Sequence, residues 1–206
     1  MTNQITVIII VIAVIFGAIV GGVYLNQSTK RKEGEAQYQY SLAKAQFEQW
    51  KLQTGDERSK TEAELTKLLG ELESKWGNSN ANGLAGLMRS ELALSKKNSE
   101  EAIKALEAYV NALPKNSKDL GWMPLAGAYE QASQFDKAAA TYESIAQNKD
   151  STFAPSALMG KARNLRLAGK IDEAVKTYQD FLDRYPASTE IATVRGLLAE
   201  TLEAKK

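Results

Sequence analysis

The sequence contains neither cysteine nor histidine. Disulfides and thiol nucleophiles are therefore excluded, as are a histidine general base and the usual zinc, iron and copper ligand sets. Excess charge is missing too, since 26 Lys and Arg stand against 25 Asp and Glu for a net charge of +1. Nucleic-acid binding by general electrostatic attraction needs a basic stripe of several uncompensated charges, so no nucleic-acid partner is expected. No glycine-rich loop able to cradle phosphate is present. Acidic neighbours such as Glu100 and Glu101 fall at a helix start, where carboxylates favour the dipole and need no catalytic explanation. We expect no enzyme activity, no cofactor and no metal.

Charge disappears altogether between Ile5 and Leu25. As a helix this stretch is about 30 Å long, the thickness of a bilayer core. A cleaved signal peptide would need a basic start, an apolar core of roughly 7 to 15 residues and a small-x-small cleavage site. Here Met1 to Gln4 carries no basic side chain, the apolar run is longer, and Gly21-Gly22-Val23-Tyr24 is a poor cleavage site. The sequence predicts an uncleaved anchor over residues 1–29, with Tyr24 at the interface and Lys30, Arg31 and Lys32 just outside. Within it Ala13, Gly17 and Gly21 recur at four-residue spacing, a small-residue face suited to packing against another membrane helix in a homo- or hetero-oligomer. The simpler alternative is that Gly and Ala are common in membrane helices.

The remainder, residues 30–206, is organised by a period of 36 residues. Ala102, Ala138 and Ala174 fall in step, as do Leu106, Tyr142 and Tyr178, then Tyr109, Ile145 and Phe181. Apolar residues three and four apart within each copy predict helices, and a period of this length marks a stacked repeat. The expected fold is therefore all-α, a solenoid following the anchor. In the last copy Leu158, Ala162, Leu165, Gly169, Ile171, Ala174, Tyr178, Phe181 and Pro186 resemble the tetratricopeptide pattern. Trp122, Leu125, Ala126, Tyr129, Phe135, Ala138 and Tyr142 resemble it in the copy before. The first copy, Leu84 to Pro114, departs from it, because Lys97 and Ser99 replace the turn glycine and the apolar residue after it.

Around the repeats, Tyr40, Ala43, Phe47 and Trp50 predict a helical face over Glu33 to Leu52, joined to the anchor by a polar stretch, Asn26 to Thr29, and broken at Gly55-Asp56. A second helix from Ser59 to Trp76 carries Leu65, Leu68, Leu69, Leu72 and Trp76 on one side, and Gly77 to Gly83 reads as a loop. Asn98 with Glu101 forms an N-cap signal, and Pro124 and Pro155 read as first-turn prolines. Ser188 is expected to cap a last helix, 188–206, in which Ile191, Val194, Leu197, Leu198 and Leu202 face inward. Lys205 and Lys206 are expected to face out.

Stacked helix pairs leave a concave face lined by the leading helix of each repeat. The register sets Leu87, Met123 and Met159 in one column, Glu91, Gly127 and Arg163 in a second, and Leu94, Glu130 and Arg166 in a third. Met adapts to varied apolar partners and Arg suits carboxylates, which makes Leu87, Glu91, Met123, Glu130, Met159, Arg163 and Arg166 the candidate protein-binding residues. The alternative is a Met column partly in the core and solvated arginines. Gly127 leaves any carboxylate clamp incomplete.

In layout the sequence resembles bacterial single-span proteins with a C-terminal tetratricopeptide-like domain, the YfgM-like group that includes an ancillary subunit of the Sec translocon. The likeness runs through the anchor, a Tyr- and Ala-rich first helix, a Leu-rich second, Leu92-Ala93-Leu94 and Ser99 to Leu106. It implies association with translocon subunits, chaperones or exported polypeptides, and a domain on the periplasmic side of the inner membrane. By the positive-inside rule Lys30, Arg31 and Lys32 favour the cytoplasmic side instead. Two further readings stay open, a structural subunit of a division, secretion or motility assembly and a cytoplasmic-facing receptor.

Overall fold

The computed structural model describes residues 2–148 and 150–204, with side chains in the first helix from Gly22 and from residue 26 onward. The side chains of the expected membrane span, Ile5 to Leu25, including Ala13, Gly17 and Gly21, lie outside the described residues, as do Lys205 and Lys206. Among the described residues no helix is long and apolar enough to cross a membrane. The protein divides into two compact units, residues 1–82 and 83–206.

The first unit pairs α1 (Thr2–Leu52) with α2 (Gly55–Trp76). Hydrogen bonds from Trp50 to Glu62 and from Gln39 to the Leu68 carbonyl show the two helices to be antiparallel, and the Ala81 N–H, beyond the end of α2, donates to Glu33. Ala36, Ala43, Phe47 and Trp50 are buried on one helix and Leu65, Leu69 and Leu72 on the other, while Tyr40, Leu68 and Trp76 are half-buried. The polar stretch Asn26 to Thr29 is not a separate joint. It is helical, and α1 runs through it unbroken, because it holds neither proline nor glycine to stop the ladder. Gly55 takes the left-handed backbone, φ 61°, and α2 starts there, four residues before Ser59. The expected loop at Gly77 to Gly83 contains a short helix, α3 (Asn80–Leu84).

The second unit is three helix pairs and one more helix. These are α4 (Gly86–Ser95) with α5 (Ser99–Ala112), α6 (Asp119–Gln131) with α7 (Phe135–Ala146), and α8 (Ala154–Leu167) with α9 (Ile171–Arg184), followed by α10 (Ile191–Glu203). The trailing helices α5, α7 and α9 begin at Ser99, Phe135 and Ile171, in step with the sequence period. Ala102, Ala138 and Ala174 are all fully buried, as are Leu106, Tyr178, Ile145 and Phe181. Each helix packs on the next in sequence from α4 to α10.

The turns inside the pairs repeat down to their hydrogen bonds. The N–H groups of Asn98, Gln134 and Lys170 donate to the carbonyls of Ala93, Tyr129 and Leu165 at 2.9, 2.8 and 2.8 Å. The residues before them, Lys97, Ser133 and Gly169, all have positive φ, at 58°, 55° and 77°. Only the third is glycine, so the first copy makes the same helix-ending turn without the residue that signals it. Its leading helix has small residues, Gly86, Ser90 and Ala93, where the next copy has Trp122, Ala126 and Tyr129. A Cβ on Gly86 would stand 2.2 Å from the Ala105 carbonyl oxygen, so the backbones of α4 and α5 touch there.

Three local expectations are corrected. Pro124 lies well inside α6, because a 3-10 turn at Lys115–Ser117 leads directly into the helix and starts it five residues before the proline. Ser188 does not cap α10. Its hydroxyl accepts from the Glu190 N–H, and the helix begins at Ile191. Leu202 is exposed and Thr201 fully buried, since Val194, Leu197, Leu198 and Thr201 continue one stripe, and Thr201 meets its hydroxyl's need by donating to the Leu197 carbonyl.

Candidate functional site

The leading helices α4, α6 and α8 carry the residues singled out by the period. Met123 and Met159 are half-buried and rest on the cluster that contains Leu158, Tyr178 and Phe181. Leu87 is half-buried against the neighbouring cluster around Leu106 and Tyr129. Glu91, Leu94 and Gly127 are also half-buried, and a Cβ on Gly127 would meet nothing within 4 Å.

Glu130 and Arg163 come together, although the period assigns them to different columns. Arg163 Nη2 donates to Glu130 Oε1 at 2.7 Å, and the Asn164 amide donates to the same oxygen and to the Gly160 carbonyl, the latter at 2.8 Å. One carboxylate on α6 is thus held by two side chains of α8. The bond to Glu130, opposed by burial, holds the Arg163 guanidinium above its usual pKa.

Tyr142 of α7 closes this cluster from behind. Its ring lies against Gly160, where a Cβ would stand 2.8 Å from ring carbons, so only glycine lets α8 approach so closely. Burial and then the Glu130 charge push the Tyr142 hydroxyl up to about 12, with Arg163 opposing. Similar links step along the stack. The Tyr129 hydroxyl donates to Glu107 at 2.7 Å, Lys170 pairs with Asp136 at 3.0 Å, and Lys161 pairs with Glu143.

Sequence reasoning missed Asn164, Tyr142 and Tyr178 as polar participants. Asn164 left a signal, because a fully buried amide occupies the register seat that Leu92 and Ala128 fill in the other copies. The tyrosines gave none, since their rings suit the core and their hydroxyls add nothing to the periodicity. A cleft of about 1080 Å³, lined by Lys118, Asp119, Leu120, Trp122, Asn148 and Phe153 among others, includes none of the candidate residues. Among the described residues no cluster of acidic side chains could hold a metal ion.

Stacked helix pairs with a recurring internal geometry define the class as an α-helical repeat solenoid. Residues 2–204 match the tetratricopeptide repeat-like domain, and the protein belongs to that family. It is also similar to the TPR repeat-containing protein MJ0263 of Methanocaldococcus jannaschii, 34% identical over 95 residues. That match covers 45% of the present sequence and spans 29% of that relative's length. Repeats of this kind imply a protein–protein interaction scaffold.

Proposed function

We propose that this protein is a membrane-anchored interaction scaffold of the bacterial inner membrane, its repeat domain periplasmic, acting as an ancillary subunit near the Sec translocon. It holds exported polypeptides or chaperones beside the membrane exit. The observation that carries the scaffold reading is the common register of α4, α6 and α8, which sets three leading helices in one row with Leu87, Met123 and Met159 at equivalent positions. The unbroken helicity of α1 from Thr2 to Leu52 supports the anchoring, because the apolar stretch then continues directly into the first helix of the soluble part.

Affinity purification from crosslinked membranes tests the partner. Translocon subunits or envelope chaperones are expected, and recovery of division, secretion or motility components instead would replace this reading with that of a structural subunit. Lys30, Arg31 and Lys32 favour a second reading, a cytoplasmic-facing receptor. Protease treatment of intact spheroplasts separates the two. A C-terminal tag is degraded if the domain is periplasmic and survives until lysis if it is cytoplasmic.

A further inference from the structure

In the first unit α2 runs back along α1, so its last turn returns to the part of α1 nearest the apolar stretch. A cavity of about 500 Å³ opens there, lined by Thr29, Lys32 and Glu33 of α1 and by Glu73, Lys75 and Trp76 of α2. The Ala81 N–H donates to Glu33 at 3.4 Å and closes the corner. Because α1 is one helix from Thr2 to Leu52, the height of this cavity follows from where the uncharged run ends, at Leu25. At about 1.5 Å per residue, Thr29 and Lys32 stand about 6 and 10 Å beyond that point. The polar layer on each side of a bilayer is about 5 to 8 Å deep, so the cavity lies at the headgroups or within a lysine's reach of them.

The charges of the cavity are balanced. Lys32 and Glu73 are exposed and form no ion pair among the described residues. Lys75 is 59% exposed in its side chain, meets Glu71 only at 3.5 Å, and stands 5.8 Å from the centre of the Trp76 ring. Two ammonium groups and two carboxylates thus line one small space, beside a tryptophan at the depth where bilayers favour that residue. A ligand with net negative charge fits poorly, because Glu33 and Glu73 share the cavity and α2 ends there, at the negative pole of its dipole. A ligand carrying both signs meets a partner for each.

We propose that this cavity holds the headgroup of a phospholipid bearing a phosphate and a primary ammonium, of the phosphatidylethanolamine type. Lys32 and Lys75 donate to the phosphate oxygens, and the ammonium donates to Glu73 and to the Glu33 oxygen that Ala81 does not take. A choline headgroup has no N–H to give, and a glycerol headgroup brings no cation, so both are held less well. The bound headgroup pins the end of α2 to the bilayer surface. The site depends on the membrane anchor proposed above, and on neither the translocon nor the side the domain faces.

The test is native mass spectrometry of the full-length protein in detergent, mixed with phosphatidylethanolamine, phosphatidylcholine and phosphatidylglycerol of identical acyl chains. The ethanolamine lipid is expected to be retained about tenfold over the other two. Lys32→Gln and Glu73→Gln should each bring its retention down to that of the choline lipid, with melting curves confirming that the variants fold. Lys30→Gln, exposed and outside the cavity, should leave the preference intact. Equal or stronger retention of either other lipid, or a preference that survives Lys32→Gln or Glu73→Gln, would overturn the proposal. Carbonate extraction of cell membranes tests the anchor separately. Release into the supernatant overturns the anchor and this site together, whereas a protein that stays in the membrane fraction but shows no lipid preference overturns the site alone.

Discussion

Arg163 Nη2 and Glu130 Oε1 lie 2.7 Å apart, joining the leading helices of consecutive repeats across 33 residues of sequence. Arg163 is half exposed in its side chain and Glu130 about a quarter, at 50% and 24%, so solvent screens much of their attraction. A double-mutant cycle with Glu130→Gln and Arg163→Met should therefore give a coupling of only about 0.5 to 1 kcal/mol. Glu130→Ala should cost more, about 1 to 2 kcal/mol in urea unfolding, because the buried Asn164 amide also loses one of its two acceptors and keeps only the Gly160 carbonyl.

The glycines of the leading helices should respond with opposite signs. Gly86→Ala forces a methyl to 2.2 Å from the Ala105 oxygen and should lower stability by about 1 to 3 kcal/mol. Gly127→Ala adds a methyl in open space within a helix and should raise stability by about 0.5 to 1 kcal/mol. Thermal melts of the two variants check this, and shifts of the same sign would refute the close approach of α4 and α5.

The three turns make a parallel case. Ser133 and Lys97 hold a left-handed backbone that costs an L residue roughly 1 to 2 kcal/mol. Ser133→Gly and Lys97→Gly should each raise the melting temperature, and Gly169→Ala should lower it. An unchanged Gly169→Ala variant would show that the third turn is not built as described.

At alkaline pH two tyrosines should stand apart. Burial, followed by Glu107 for Tyr129 and Glu130 for Tyr142, pushes both up to about 12 from an ordinary value of 10.0. A raised folded pKa means that the folded state keeps a proton the unfolded state gives up. The stability this contributes is fully present below pH 10 and lost as pH rises toward 12. Tyrosinate absorbance should show two hydroxyls titrating near 12, each removed by Tyr129→Phe or Tyr142→Phe.

Most of the repeat architecture was legible because alanines and large apolar residues recur at 36 residues in all three copies, and burial by neighbouring helices demands that recurrence. The first copy was harder to read. Backbone contact at Gly86 and a small buried side chain at Ala93 replace the large side chains found at Trp122 and Tyr129, and Lys97 adopts the turn conformation usually marked by glycine. Pro124 misled because a proline marks a helix start only when no earlier turn has nucleated the helix, and here residues 115–117 do so. In the candidate site, charge type was legible and pairing was not. The period places Glu130 and Arg163 in separate columns, but long side chains bridge adjacent helices diagonally, and Asn164 completes the contact from a seat that periodicity reserves for apolar residues.

Site-specific photo-crosslinking on intact cells tests the central claim most directly. A photoreactive residue placed at Leu87, Met123 or Met159 on the leading helices is compared with one at Lys104 or Ala140, exposed on the trailing helices. The scaffold account expects discrete adducts to translocon subunits, chaperones or exported polypeptides from the first set and not from the second. Adducts from Lys104 and Ala140, with none from Leu87, Met123 and Met159, would contradict it.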